Sequence, residues 1–170
     1  TNLPLSVEYI CRKAFFKHAL EQRKVADEFY YKNLMSLIEA DYIKRNKPQL
    51  YEEIKYLIIS VGTSYEPIVL NIKLFCPERI LFLYTEKTEK TLDQIVNYTN
   101  ITPTSYEKRK VSEIEPLDIY REIKHSYLEW EQPEKMYIDF TGGTKAMSAA
   151  AAMAGALINV QMVYVGTNDY

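Results

Sequence analysis

Thr141, Gly142, Gly143, Thr144 and Lys145 follow the apolar stretch Met136–Phe140 and precede the small-residue run Ser148–Ala156. The pattern predicts a buried strand, a two-glycine turn, and the first turn of a helix that packs closely on a sheet. Such a junction gathers unpaired backbone N–H groups, two hydroxyls and an ammonium at one point, which suits an anionic ligand. A phosphate-bearing small molecule is the first expectation.

A second turn of similar character, Gly62-Thr63-Ser64-Tyr65, follows Tyr56–Val61. Gly62, Gly142 and Gly143 permit positive φ angles or close approach of a ligand to the backbone. The hydroxyls of Thr63, Ser64, Thr141 and Thr144 serve either as helix caps or as partners for ribose and phosphate. Lys145 supplies the cation. A Gly-Thr-Ser turn alone is explained by capping. Two glycines, two threonines and a lysine together exceed what a cap requires. No Gly-x-x-x-x-Gly-Lys-Ser/Thr phosphate loop is present, nor a Gly-x-Gly-x-x-Gly dinucleotide fingerprint.

The elements that must position these turns alternate in period. Strands are expected over Tyr56–Val61, Arg79–Tyr84, Tyr106–Val111, Met136–Phe140 and Val160–Val165. Helices are expected over Glu66–Phe75, Glu89–Tyr98, Leu117–Trp130 and Thr144–Ile158. The third strand is polar and belongs near an edge. Alternation of this kind implies right-handed crossovers and an α/β, doubly wound, mostly parallel sheet. Ligands of such sheets bind beyond the carboxyl ends of the strands, where strand order reverses. Both polar turns therefore belong at one crest.

Residues 1–50 differ in character, lacking glycine and reading as a helical extension ahead of an α/β domain at 51–170. Tyr30, Leu34, Leu37 and Ile38 form one helical stripe, and Val7, Ile10, Cys11, Ala14 and Phe15 another. Pro48 follows the basic end of the first.

The 21 basic and 23 acidic residues leave a net charge of −2, which argues against a binder of DNA or RNA polymers. Cys11, Cys76, His18 and His125 have no metal-type spacing, and no metal or cofactor is expected. Unclustered cysteines and the lack of a signal pattern point to the cytoplasm. No apolar run reaches the roughly 18 residues that would span a bilayer. The chain starts at Thr1, not Met, so a membrane segment or effector domain upstream or downstream remains compatible with it. Fifteen tyrosines read mainly as packing and interface residues. Tyr65 lies nearest the turns, placed to stack on a base. Asp139 is expected to hold its turn through backbone N–H groups, and Asp169 to lie near the same crest. Lys108-Arg109-Lys110 reads as a solvated strand face.

With Val61-Gly62-Thr63-Ser64 after the first strand and Asp139-Phe140-Thr141-Gly142-Gly143-Thr144-Lys145-Ala146-Met147-Ser148 after a later one, the chain resembles the CRISPR-associated Rossmann fold (CARF) domain, the sensor module of type III CRISPR ancillary proteins. The likeness covers roughly residues 51–170, and its second motif is the distinctive one. It implies a Rossmann-like homodimer that binds a cyclic oligoadenylate across its two-fold axis. Cyclic tetra-adenylate is favoured over cyclic hexa-adenylate, because a four-fold repeat of phosphates suits two copies of each turn. The carry-over sets Gly62, Thr63 and Ser64 against ribose or phosphate, and Gly142, Gly143, Thr144 and Lys145 against phosphodiesters. Family members join the sensor to an effector, and no effector signature occurs here. The N-terminal helices depart from members that begin with the first strand, and would suit a tether to a membrane segment. An enzymatic alternative is a metal-independent ring nuclease, with Ser64 and Lys145 as helpers. Another is a Rossmann-like domain for an unrelated nucleotide.

Overall fold

The computed structural model describes residues 20–50 and 52–166. The chain divides into two compact units, residues 1–41 and 42–170. In the first, residues 20–29 are α-helical (α1), Tyr30–Leu34 form a π-helical turn, and α2 (Met35–Asn46) begins. The expected stripe lies on this helical stretch with Leu34, Leu37 and Ile38 exposed. The expected stripe at Val7–Phe15, His18 and Asp169 all fall outside the described residues.

The second unit holds a five-stranded sheet in the order β3-β2-β1-β4-β5, every neighbouring pair parallel. Its strands are β1 (Tyr56–Ser60), β2 (Arg79–Tyr84), β3 (Tyr106–Lys110), β4 (Met136–Asp139) and β5 (Gln161–Val163). They are joined by α3 (Glu66–Phe75), α4 (Glu89–Thr99), α5 (Pro116–Glu129) and α6 (Lys145–Ile158). The chain winds outward from β1 through β2 to β3, then crosses back to β4 and on to β5. This is the doubly wound, Rossmann-like sheet expected, with β3 at an edge. Strand order reverses between β1 and β4, which pair in register with Ile59 opposite Asp139.

The inner strands form because their residues are apolar on both faces, as burial under helices demands. Leu57, Ile58, Ile59, Leu81, Phe82 and Leu83 are fully buried. On one face Ile58, Leu81 and Ile138 meet Ile119 and Ile123 of α5 and Ala150, Ala151 and Ala154 of α6. The alanines let α6 sit close to the sheet. Gly155 extends that contact, since a Cβ there would come within 3.0 Å of Met162.

Three helices end on a residue with positive φ: Cys76 (47°), Asn100 (52°) and Asn159 (56°). Asparagine tolerates this left-handed cap better than most side chains. The strands are shorter than the apolar runs predict. β1, β3 and β4 stop one residue early, although Val61, Val111 and Phe140 still donate to Leu83, Tyr84 and Val163. β5, at the other edge, keeps only three residues of the six expected, and beyond it the Val165 N–H bonds to Thr141 Oγ1.

Candidate functional site

The turn after β1 and the turn after β4 cross in contact at the carboxyl edge of the sheet. A Cβ built on Gly62 would lie 2.7 Å from the Gly143 nitrogen, and one on Gly142 only 2.3 Å from the Ser60 carbonyl oxygen. Both glycines are therefore required by close backbone approach. Gly143 is required by conformation, with φ at +90°.

Hydroxyls fix the crossing. Ser60 Oγ donates to the Gly142 carbonyl at 2.7 Å, and Ser148 Oγ reaches the same carbonyl at 3.2 Å and that of Phe140 at 3.0 Å. Thr144 is the N-cap of α6: its Oγ1 accepts from the Met147 N–H at 3.2 Å and donates to the Glu113 carbonyl at 3.2 Å. Thr141 Oγ1 accepts from the Val165 N–H at 2.9 Å. Thr141 and Thr144 thus spend their hydroxyls on the fold.

Asp139 is buried and holds its turn as expected, Oδ1 accepting the Thr141 N–H at 2.9 Å. Its other oxygen accepts from Asn71 Nδ2 at 2.7 Å, and Asn71 Oδ1 in turn accepts the Tyr42 hydroxyl at 2.9 Å. Burial raises the carboxyl pKa above its usual 3.8, against the lowering effect of the bonds from Thr141 and Asn71. Burial, aided by the nearby Asp139 charge, likewise raises Tyr42.

Thr63 and Ser64 contrast with this. Neither caps α3, whose N-cap position is held by Tyr65 with no side-chain capping bond to the helix. Both are exposed, and their hydroxyls have no partner among the described residues. Lys145, the first residue of α6, is also exposed and forms no ion pair among the described residues. The free polar groups at the crossing are therefore two hydroxyls, an ammonium and glycine-turn backbone. Helix N-termini beneath them favour negative charge.

Two clefts open here. One, of about 130 Å3, is lined by Gly62, Thr63, Ser64, Thr141, Gly142 and Gly143 with Pro67 and Ile68 behind them. The other, of about 110 Å3, shares Gly62, Thr63 and Gly143 and extends to Val61, Thr85, Lys87, Thr88, Glu113, Thr144 and Met147. Seven of the nine expected site residues thus line one cleft or the other. Tyr65 and Lys145 flank them at the N-termini of α3 and α6.

The basic residues of β3 are committed elsewhere. Lys108 pairs with Asp93 at 3.3 Å, Lys110 with Glu86 at 3.5 Å, and Arg109 with Glu107, Glu122 and Glu129 at 3.0–3.5 Å. His125 faces Glu129 at 3.3 Å. No group of metal-ligating side chains occurs among the described residues, and none of their helices is long and apolar enough to cross a membrane.

Comparison with known proteins bears on the family and the fold. The family model of the Card1 CARF domain matches residues 58–169. The CRISPR system endoribonuclease Csm6 of Thermus thermophilus is 35% identical over 136 residues, covering 74% of this chain and 28% of that protein. The structure of Can2 from Sulfobacillus thermosulfidooxidans in complex with cyclic tetra-adenylate has a similar fold. Its TM-score is 0.59 at 20% identity, over 66% of this chain and 32% of that one. The chain therefore spans about a third or less of the length of these relatives.

Proposed function

The chain belongs to the Card1 CARF domain family, and from that premise we propose that residues 51–170 are a sensor for a cyclic oligoadenylate, cyclic tetra-adenylate first. Residues 1–50 are the extension ahead of it, helical over the described stretch 20–49. The observation that carries the reading is the division of labour at the crossing. The fold uses up Thr141, Thr144, Ser60 and Ser148, yet leaves Thr63, Ser64 and Lys145 free beside glycine backbone.

A cyclic phosphodiester needs anion donors repeated around its circumference. One copy of the crossing supplies half of them, and a two-fold dimer supplies the rest. In this arrangement Gly142, Gly143 and Thr144 present the α6 N-terminus to phosphate, and Lys145 adds its charge. Thr63 and Ser64 bond ribose or phosphate, and Tyr65 stacks at the rim. Binding draws the two copies into one arrangement, and any effector joined to the sensor responds to that bias. Can2, solved with cyclic tetra-adenylate, supports the ligand class.

Isothermal titration calorimetry with cyclic tetra-adenylate and cyclic hexa-adenylate tests the reading. Saturable heat at one ring per two chains is expected with the smaller ring, and no heat with either ring at micromolar protein rejects it. Chromatography of the same samples after long incubation shows whether the ring stays closed or is opened with help from Ser64 and Lys145.

A further inference from the structure

The two clefts at the crossing differ in chemistry. The first is walled by glycines and hydroxyl residues, a setting for phosphate and sugar. The second reaches over the end of β2 and is backed by Val61 and Met147, both essentially fully buried. Thr85 and Thr88 line it too, but their hydroxyls are bonded to each other at 3.3 Å within a capping box. What is left to read a ligand, beyond the Thr63 hydroxyl shared with the first cleft, is one ion pair. Lys87 Nζ stands 2.9 Å from Glu113 Oε2. The Glu113 backbone is in turn tied to the α6 N-cap through Thr144.

An apolar slot with an acceptor and a donor side by side matches one ligand edge closely. Adenine offers an exocyclic amine next to a ring-nitrogen acceptor. A carboxylate accepts from the amine and an ammonium donates to the ring nitrogen. In hypoxanthine the amine is replaced by a carbonyl, which would face the carboxylate oxygen to oxygen. Burying such a mismatch is costly, so this pair discriminates.

We propose that the second cleft is the base pocket of the sensor, and that Glu113 and Lys87 read an adenine there. The proposal rests on the cyclic oligoadenylate reading above. It gives each part of the nucleotide its own wall: phosphate and ribose over the shared glycines, and the base beyond β2.

Calorimetric titration of the intact chain with cyclic tetra-adenylate and with cyclic tetra-inosinate tests it, using wild type, Glu113→Gln and Lys87→Met. Wild type is expected to prefer the adenylate ring by about 10- to 100-fold, the scale of one hydrogen bond to a charged group. Glu113→Gln, whose amide offers either oxygen or nitrogen, brings that ratio toward one. Lys87→Met, on an exposed side chain, narrows it independently should Glu113→Gln disturb the loop before α5. Thermal melts show that each variant is folded. Adenylate binding with an unchanged ratio in both variants overturns the base pocket alone. Failure of wild type to bind either ring overturns the ligand class, and the pocket with it.

Discussion

Asn71 donates to Asp139 at 2.7 Å, and neither residue has measurable exposure to solvent. The bond is the middle of a line that starts at Tyr42 on α2, passes through α3 and ends at the Thr141 N–H in the β4 turn. Buried networks of this kind are valuable only when complete. Asn71→Ala leaves the carboxylate short of a donor and should cost about 2–3 kcal/mol in urea unfolding. It should also weaken ring binding, because Asp139 positions the turn. A variant as stable as wild type would show that the line carries no weight.

The same carboxyl predicts a pH dependence. Burial raises the Asp139 pKa above 3.8, so the folded state binds its proton more tightly than the unfolded state. The stability this confers is complete below the unfolded pKa and is lost as pH rises through the folded value. Asp139→Asn removes the titration. Stability of wild type relative to Asp139→Asn should therefore decline from acid toward neutral pH, and parallel urea midpoints across that range would refute the assignment.

Gly142 and Gly143 differ in what they forbid. A methyl on Gly142 would meet backbone on two sides, at 2.3 and 2.6 Å, whereas one on Gly143 meets the flexible Met147 side chain at 3.1 Å. Gly142→Ala should cost about 3 kcal/mol, the upper end of overpacking. Gly143→Ala should cost about 1–2 kcal/mol, for the positive φ. Thermal denaturation of the two variants checks the order, and a more harmful Gly143→Ala would contradict it.

Lys145 is exposed and outside any ion pair among the described residues, so Lys145→Ala should leave the melting temperature unchanged. Its effect should appear in calorimetry with cyclic tetra-adenylate, as a loss of about 1.5–3 kcal/mol. Added salt should diminish that difference, since screening weakens an exposed charge.

Ser126 carries a hydroxyl that is fully buried and has no hydrogen-bond partner among the described residues. Ser126→Ala should stabilise the fold by about 1 kcal/mol, the lower end of the cost of an unmet polar group. Urea unfolding of the pair measures it.

Much of this was legible in the chain itself. Helix α3 has the predicted bounds because Pro67 lies in its first turn and Cys76, at positive φ, ends it. The convergence of the two turns followed from where a doubly wound sheet reverses. The roles of Thr141 and Thr144 did not, because their partners at Val165 and Glu113 are 24 and 31 residues away. A hydroxyl looks the same in sequence whether a ligand or the protein claims it. Asn71 was missed outright, although a lone amide within the apolar stretch Ile68–Phe75 is a signal that something buried and charged lies opposite. Ser60 was hidden in the same way at the end of an apolar strand. Lys87, in the 3-10 turn Glu86–Thr88, and Glu113, in the loop before α5, are 26 residues apart, and only tertiary structure joins them.

No side chain cushions the place where Gly62 rides over Gly142 and Gly143. That joint has no slack, so the two turns cannot be retuned one at a time. Whatever docks there meets a finished mould and spends little of its binding energy on shaping it. Evolution of a new preference is accordingly pushed outward, to the rims, where residues are free to change.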